Sequence, residues 1–229
     1  MSSRLETKVI KPKEFVPRGD QLSFKNFYIR YGKFHFDDKN VALHLVGIPI
    51  LTWTGMALLR QNNRIKHISY GNGLSIGNYG SQKKRIDFIV VVWALLGLVY
   101  VKVELLVGFL TWLSGIVGYK ILRNFMVQDK AQKIFRGHLL RAIKLIHVLA
   151  WIMQFAGHAI FEKRAPALTK NLFFALIAPF FTVFEILNKL FKYKQAQLKE
   201  CDEIILQDIA AYRLKKGIPM MKGYKIEQA

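Results

Sequence analysis

Two short stretches of this chain carry side chains able to do chemistry at helical spacing. In His35-Phe-Asp-Asp-Lys-Asn40-Val-Ala-Leu-His44, Asn40 and His44 stand one helical turn apart, and His35 falls in the loop ahead of the helix. Far downstream, His147, Trp151, Gln154 and His158 recur at steps of four, three and four, so two imidazoles, an amide and an indole share one helix face. Imidazole suits iron, zinc and copper, and a histidine-rich set without thiolates, with room for water or oxygen, is compatible with non-haem Fe(II). The lone Cys201 rules out cysteine-bound structural zinc and an internal disulfide. His35, His44 and His158 are the candidate metal ligands, with Asp37, Asp38 and Glu162 as candidate carboxylates. Asn40 and Gln154 are the groups expected to fix imidazole orientation.

His158 closes an otherwise oily segment that ends in Glu162-Lys163-Arg164-Ala-Pro166. Ionisable groups beside hydrocarbon are costly, so by default they are functional or paired with something nearby. Glu162 and Arg164 are the expected catalytic groups; Lys163, Arg164 and Asn171 are the expected substrate-binding ones. Plainer readings stand beside these: His158 bonded to Glu162 one turn on, or Glu162 paired with Arg164 at an interface. His147 shares the face of His158 but lies about 16 Å away along a helix axis, so packing or a hydrogen bond to another helix is expected of it.

These side chains need a scaffold, and composition says which kind. The 229 residues are 52% hydrophobic yet carry 35 Lys and Arg against 15 Asp and Glu, a formal charge of +20. The apolar residues gather into bilayer-length runs with the basic ones between them, so the charge is matched to lipid headgroups and acidic protein neighbours and not to nucleic acid. The expected fold is all-α, an integral membrane helical bundle of four to five transmembrane helices with polar N- and C-terminal extensions. Apolar runs cover about 41–59, 87–101, 105–122, 143–161 and 171–190, the second and third divided by Lys102 and Glu104.

Around this bundle, residues 1–30 form a polar basic arm, 31–190 the transmembrane domain, and 191–229 a charged amphipathic tail. The tail carries an apolar stripe of Leu198, Cys201, Ile205, Ile209 and Tyr212 suited to a membrane or a partner. The glycine-bearing stretch 60–85 lacks a Gly-Lys-Ser/Thr ending and reads as a connector, not a phosphate cradle. The N-terminus has no apolar core and does not read as a secretory signal. If all five runs cross, His35, His44, His158, Glu162 and Arg164 arrive at one membrane face.

The pattern His-x-x-x-x-Asn-x-x-x-His-x-x-Gly-x-Pro, followed by Trp-x-x-Gln-Phe-x-Gly-His-x-x-Phe-Glu-x-Arg-x-Pro-Ala-Leu-x-x-Asn-Leu, resembles the yeast 2-hydroxy fatty acid dioxygenase family over about residues 29–190. The resemblance implies Fe(II)-dependent α-oxidation of a 2-hydroxy fatty acid with O2, as in phytosphingosine breakdown, with His35, His44 and His158 as the family's histidines. It implies the endoplasmic reticulum as the compartment. Asp37-Asp38 stands where that family usually has Asn-Pro. The alternative is a non-catalytic accessory subunit of a large membrane complex, for example in the mitochondrial inner membrane, with arm and tail wrapping its neighbours.

Overall fold

The computed structural model describes residues 8–17, 19–20, 23–65, 88–132, 138–169 and 172–227. Most of the 60–85 connector and Asn171 lie outside the described residues. The elements run β1 (Lys8–Ile10), α1 (Phe24–Gly32), α2 (Asp38–Ile65), α3 (Phe88–Val103), α4 (Leu105–Gln132), α5 (Leu139–Gly157), α6 (Phe173–Phe191), α7 (Gln195–Lys216) and β2 (Tyr224–Ile226). The helical expectation holds. Four stretches, Asp38–Arg60, Leu105–Asp129, Leu139–Glu162 and Phe173–Phe191, are long and apolar enough to cross a membrane. At about 1.5 Å per residue the 16-residue α3 is shorter than a typical ~30 Å hydrocarbon layer. Leu98 and Leu105, each 69% exposed, and Leu145 at 60% place large apolar side chains outward, where a bilayer and not water is their natural solvent.

Residue-level contacts fix the helix directions. Antiparallel packing of α2 on α5 sets Asn40 against Gly157, Gly47 against Gln154, and Thr54 beside His147. Parallel packing of α2 and α4 seats Trp53 on Gly118 and brings Arg60 to Tyr119. Glu104 alone separates α3 from α4, which fold back as a hairpin. Its carboxylate accepts the Val107 N–H at 2.7 Å and caps α4. The close approach there requires glycine: a Cβ on Gly108 would fall 2.3 Å from the Tyr100 carbonyl carbon. Further along, the Trp93 ring covers Gly115 and the Trp112 ring covers Gly97, so indoles fill notches left by missing side chains. The N-termini of α2 and α4 and the C-termini of α3 and α5 therefore share one end of the bundle.

Ahead of the fifth apolar run, Arg164 donates to the Lys33 carbonyl at 3.1 Å. In the last turn of α6 Lys189 reaches Asp38 at 2.8 Å, and beyond the helix the Tyr193 hydroxyl reaches Glu104 at 2.8 Å. All three anchors lie at the end of the bundle that starts α2, so the segment between Arg164 and Tyr193 leaves that end and returns to it. The length and composition of α6 are those of a helix able to cross a membrane. The face presented to α1 is aromatic, with Phe180 and Phe181 fully buried and Phe184 edge-on to Phe24 and Tyr28.

The amphipathic tail is also redirected. The apolar face of α7 (Leu198, Cys201, Ile205, Ile209) is buried against this chain's own α1, where Ile205 packs over Gly32. Lys25–Glu200 and Tyr28–Asp202 contacts, at 2.9 and 2.8 Å, flank that seam. The arm pairs with the tail: β1 and β2 are parallel, with Lys8 opposite Tyr224 and Ile10 opposite Ile226.

Candidate metal centre

Three histidines meet at the shared end of the bundle. The rings of His35 and His44 lie 4.5 Å apart, those of His35 and His158 4.8 Å, and those of His44 and His158 4.9 Å, centroid to centroid. Their ligand-capable nitrogens all fall within 4.8 Å of one another. His35 comes from the loop after α1, His44 from the second turn of α2, and His158 from the end of α5. Asp37 starts α2 by accepting the Lys39 N–H at 2.9 Å, an N-cap that sets the helix phase carrying Asn40 and His44 inward. At His158, α5 gives way to a π-helical turn, His158–Glu162, that ends at left-handed Lys163 (φ 54°). Such an extra residue in the helical ladder re-aims the side chains around it.

The protonation pattern follows from the hydrogen bonds. His35 Nδ1 lies 3.0 Å from the Tyr31 carbonyl and His44 Nδ1 lies 2.9 Å from the Asn40 carbonyl. A carbonyl only accepts, so each Nδ1 carries the proton and each Nε2 keeps its lone pair. Burial holds the His35 imidazole well below the ordinary histidine range, and the adjacent His44 and His158 push the same way. A neutral ring with a free Nε2 is the form a metal needs. The His35 ring is further fixed by a stack in which Tyr31 lies between His35 at 4.1 Å and Phe181 at 4.3 Å.

His158 Nδ1, Asn40 Oδ1 and Gln154 Oε1 are buried without a hydrogen-bond partner. Buried polar atoms ordinarily find partners, and His158 and Gln154, which border the same cavity as His35 and His44, leave unpaired atoms suited to an ion or ordered water. The donor set suits a metal ion: three imidazoles with an unpaired nitrogen among them, their ligand nitrogens within 4.8 Å of one another against the at most about 4.2 Å that bonds of about 2.0–2.1 Å to a shared ion allow. The carboxylates are spent elsewhere. Glu162 Oε1 accepts the N–H groups of Phe36 at 2.8 Å and Asp37 at 2.9 Å and the Asn40 amide at 3.1 Å. Asp37 caps α2, and Asp38 pairs with Lys189.

Of the groups expected at the site, Asn40 and Gln154 are there. Asn40 is fully buried, with its amide also on the Phe34 carbonyl at 3.2 Å, and Gln154 donates to the Leu43 carbonyl at 3.3 Å. Arg164 points away. It donates to Lys33 O and Asp208 Oδ1, each at 3.1 Å, and its guanidinium lies between the Phe34 and Tyr212 rings at 4.3 Å from each. Lys163 is exposed. Asp208, with Lys33 at 3.5 Å, was missed because it falls beside the apolar stripe of α7, where an acid reads as solvated. His147 is part of a closed chain: Trp151 Nε1–H donates to His147 Nε2 at 3.1 Å, so His147 Nδ1 carries its proton to Thr54 Oγ1 at 2.8 Å. Thr54 donates onward to the Ile50 carbonyl at 2.6 Å.

From the three histidines a cavity of about 390 Å³ runs into the bundle, lined almost wholly by apolar side chains of α2, α3, α5 and α6. That volume lies in the range of small-molecule sites. Among the described residues that line it there is no lysine, arginine, aspartate or glutamate.

Residues 21–190 match a family described as Mpo1-like, 2-hydroxy-palmitic acid dioxygenase Mpo1-like. The chain is also similar to 2-hydroxy-palmitic acid dioxygenase MPO1 of Saccharomyces cerevisiae, 30% identical over 171 residues that cover 74% of this chain and 79% of that protein. No solved structure matches.

Proposed function

The chain belongs to the Mpo1-like family of 2-hydroxy-palmitic acid dioxygenases, and on that premise we propose that it is an Fe(II)-dependent membrane enzyme shortening 2-hydroxy fatty acids by one carbon. The observation that carries this reading is the placement of three neutral imidazoles at the head of a long apolar cavity. The reaction balances without a second reductant. A 2-hydroxy acid and O2 give the acid one carbon shorter, CO2 and water, and the substrate supplies all four electrons. His35, His44 and His158 would hold a ferrous ion, which would supply Lewis-acidic and redox chemistry.

The chain's own residues have separable tasks. The Tyr31 and Asn40 carbonyls hold the Nδ1 protons of His35 and His44, which aims both Nε2 atoms inward. Glu162 ties the loop carrying His35 to the turn carrying His158, as a positioning residue. Arg164 clamps the same loop from outside through Lys33 O. The apolar wall excludes water and takes the acyl chain.

The test uses the purified full-length protein in detergent, reconstituted anaerobically with Fe(II) and given 2-hydroxypalmitate and oxygen. Oxygen uptake matched by pentadecanoate and CO2 is expected, and lost in His158→Ala. A protein that holds iron at the three histidines yet forms no pentadecanoate overturns the proposal.

A further inference from the structure

One face of α2 lines the cavity from end to end: His44, Ile48, Thr52, Gly55 and Leu59 follow one another at steps of four, four, three and four. The cavity therefore extends along the helix axis, with the histidines at one end and Leu59 (55% exposed), Ile89 and His147 toward the other. His44 and Leu59 are separated by about 22 Å of helix at about 1.5 Å per residue. An extended acyl chain advances about 1.3 Å per carbon, from C–C bonds of about 1.5 Å at the tetrahedral angle, so this channel accommodates roughly 17 carbons.

The deep half of the wall is rigid. The Trp151–His147–Thr54–Ile50 chain of hydrogen bonds satisfies both His147 nitrogens, so the imidazole offers only its edge and has no free polar atom to turn toward a ligand. Gly55 stands opposite. The one atom within 4 Å of a Cβ built there is His147 Cε1, at 3.6 Å. There is room for a side chain at this position, and anything beyond a methyl group intrudes on the channel or on the fixed imidazole.

We propose that Gly55, Leu59 and Ile89 form a ruler that sets the acyl-chain length this protein accepts, with the methyl end of the substrate seated against them. This rests on the oxidation reading for the identity of the substrate head, but the length selection itself is a property of binding. Trp93 and Trp151 line the channel and provide a turnover-independent signal, because a brominated acyl chain beside them quenches their fluorescence.

The experiment is competition of unbrominated saturated fatty acids, decanoate through eicosanoate, against bromopalmitate on the iron-loaded full-length protein, run beside oxygen uptake with the matching 2-hydroxy acids. Wild type is expected to bind most tightly near palmitate. Gly55→Leu moves the optimum shorter by about four carbons, since Gly55 lies about 6 Å above Leu59 along the helix, and lowers the palmitate-to-decanoate preference at least tenfold. Leu59→Ala moves the optimum longer. Ile89→Trp, on a different helix, repeats the shortening if Gly55→Leu does not fold. Length profiles that stay parallel to wild type in all three variants overturn the ruler, and do so even where 2-hydroxy acids are oxidised. Length-selective binding without oxidation overturns the catalytic reading and leaves the ruler standing.

Discussion

Asn40 and Glu162, 122 positions apart in sequence, are joined by a 3.1 Å hydrogen bond from Asn40 Nδ2 to Glu162 Oε1. Around it, the Asn40 carbonyl orients His44 and the same Glu162 oxygen gathers two backbone N–H groups just after His35. One carboxylate oxygen thus locks the loop of the first histidine to the turn of the third. Removing it strands buried donors at about 1–3 kcal/mol each. Glu162→Ala is expected to lose at least that much stability in detergent denaturation and most of its bound metal. Glu162→Gln, which keeps a carbonyl oxygen in place, is expected to recover stability and metal together. Loss of metal at unchanged stability in Glu162→Ala would show that the carboxylate is a ligand instead.

The histidines should act as a set. His35→Ala, His44→Ala and His158→Ala are each expected to weaken metal binding beyond the roughly 10–100-fold that an outer hydrogen-bond partner costs. Direct metal analysis and the visible spectrum of the Co(II)-substituted protein measure this without turnover. His147→Ala, whose ring is closed off by Thr54 and Trp151, is expected to keep full metal stoichiometry. Retention of metal by any of the first three would remove that residue from the centre.

Gly157 tests how tightly the site is packed. A Cβ there would fall 2.5 Å from Asn40 Oδ1. Gly157→Ala should force Asn40 off its bonds to Phe34 and Glu162, with the ~1–3 kcal/mol penalty typical of overpacking. Pairing it with Asn40→Ala should relieve most of that penalty. A strictly additive double variant would show that the two do not touch.

Asp208 joins α7 to the site. It accepts from Arg164 at 3.1 Å, Lys33 at 3.5 Å and the Phe15 N–H at 3.0 Å while nearly buried. Asp208→Ala removes the carboxylate that Arg164 and Lys33 share beneath α7, and breaking one partner of a buried pair typically costs about 3–5 kcal/mol. Limited proteolysis should then cut first between α6 and α7, before the bundle helices are attacked. An unchanged digestion pattern would mean that α7 is held by its apolar face alone.

Much of the centre was legible because metal ligation demands particular residue types. His35, Asn40, His44, Gln154 and His158 stand out as costly groups against an oily background, and helical spacing assigns their faces. What escaped is what spacing cannot encode. Glu162 and Arg164 carry the charges of catalytic groups, yet they bond to backbone atoms of residues 33–37 and to the side chains of Asn40 and Asp208, and no local pattern announces partners that far away. The fifth apolar run has the length and composition of a crossing helix, and the contacts that bring its far end beside the start of α2 come from Lys189 and Tyr193, just where ordinary flanking residues are found. The tail stripe was correctly apolar; hydropathy alone does not tell a bilayer from one's own first helix.

The β1–β2 pairing holds the two polar extensions side by side. A tag appended to either extension would face the same aqueous compartment. In sealed vesicles, an impermeant reagent added from one side would reach both tags or neither, and a split reporter divided between them would complement within a single molecule.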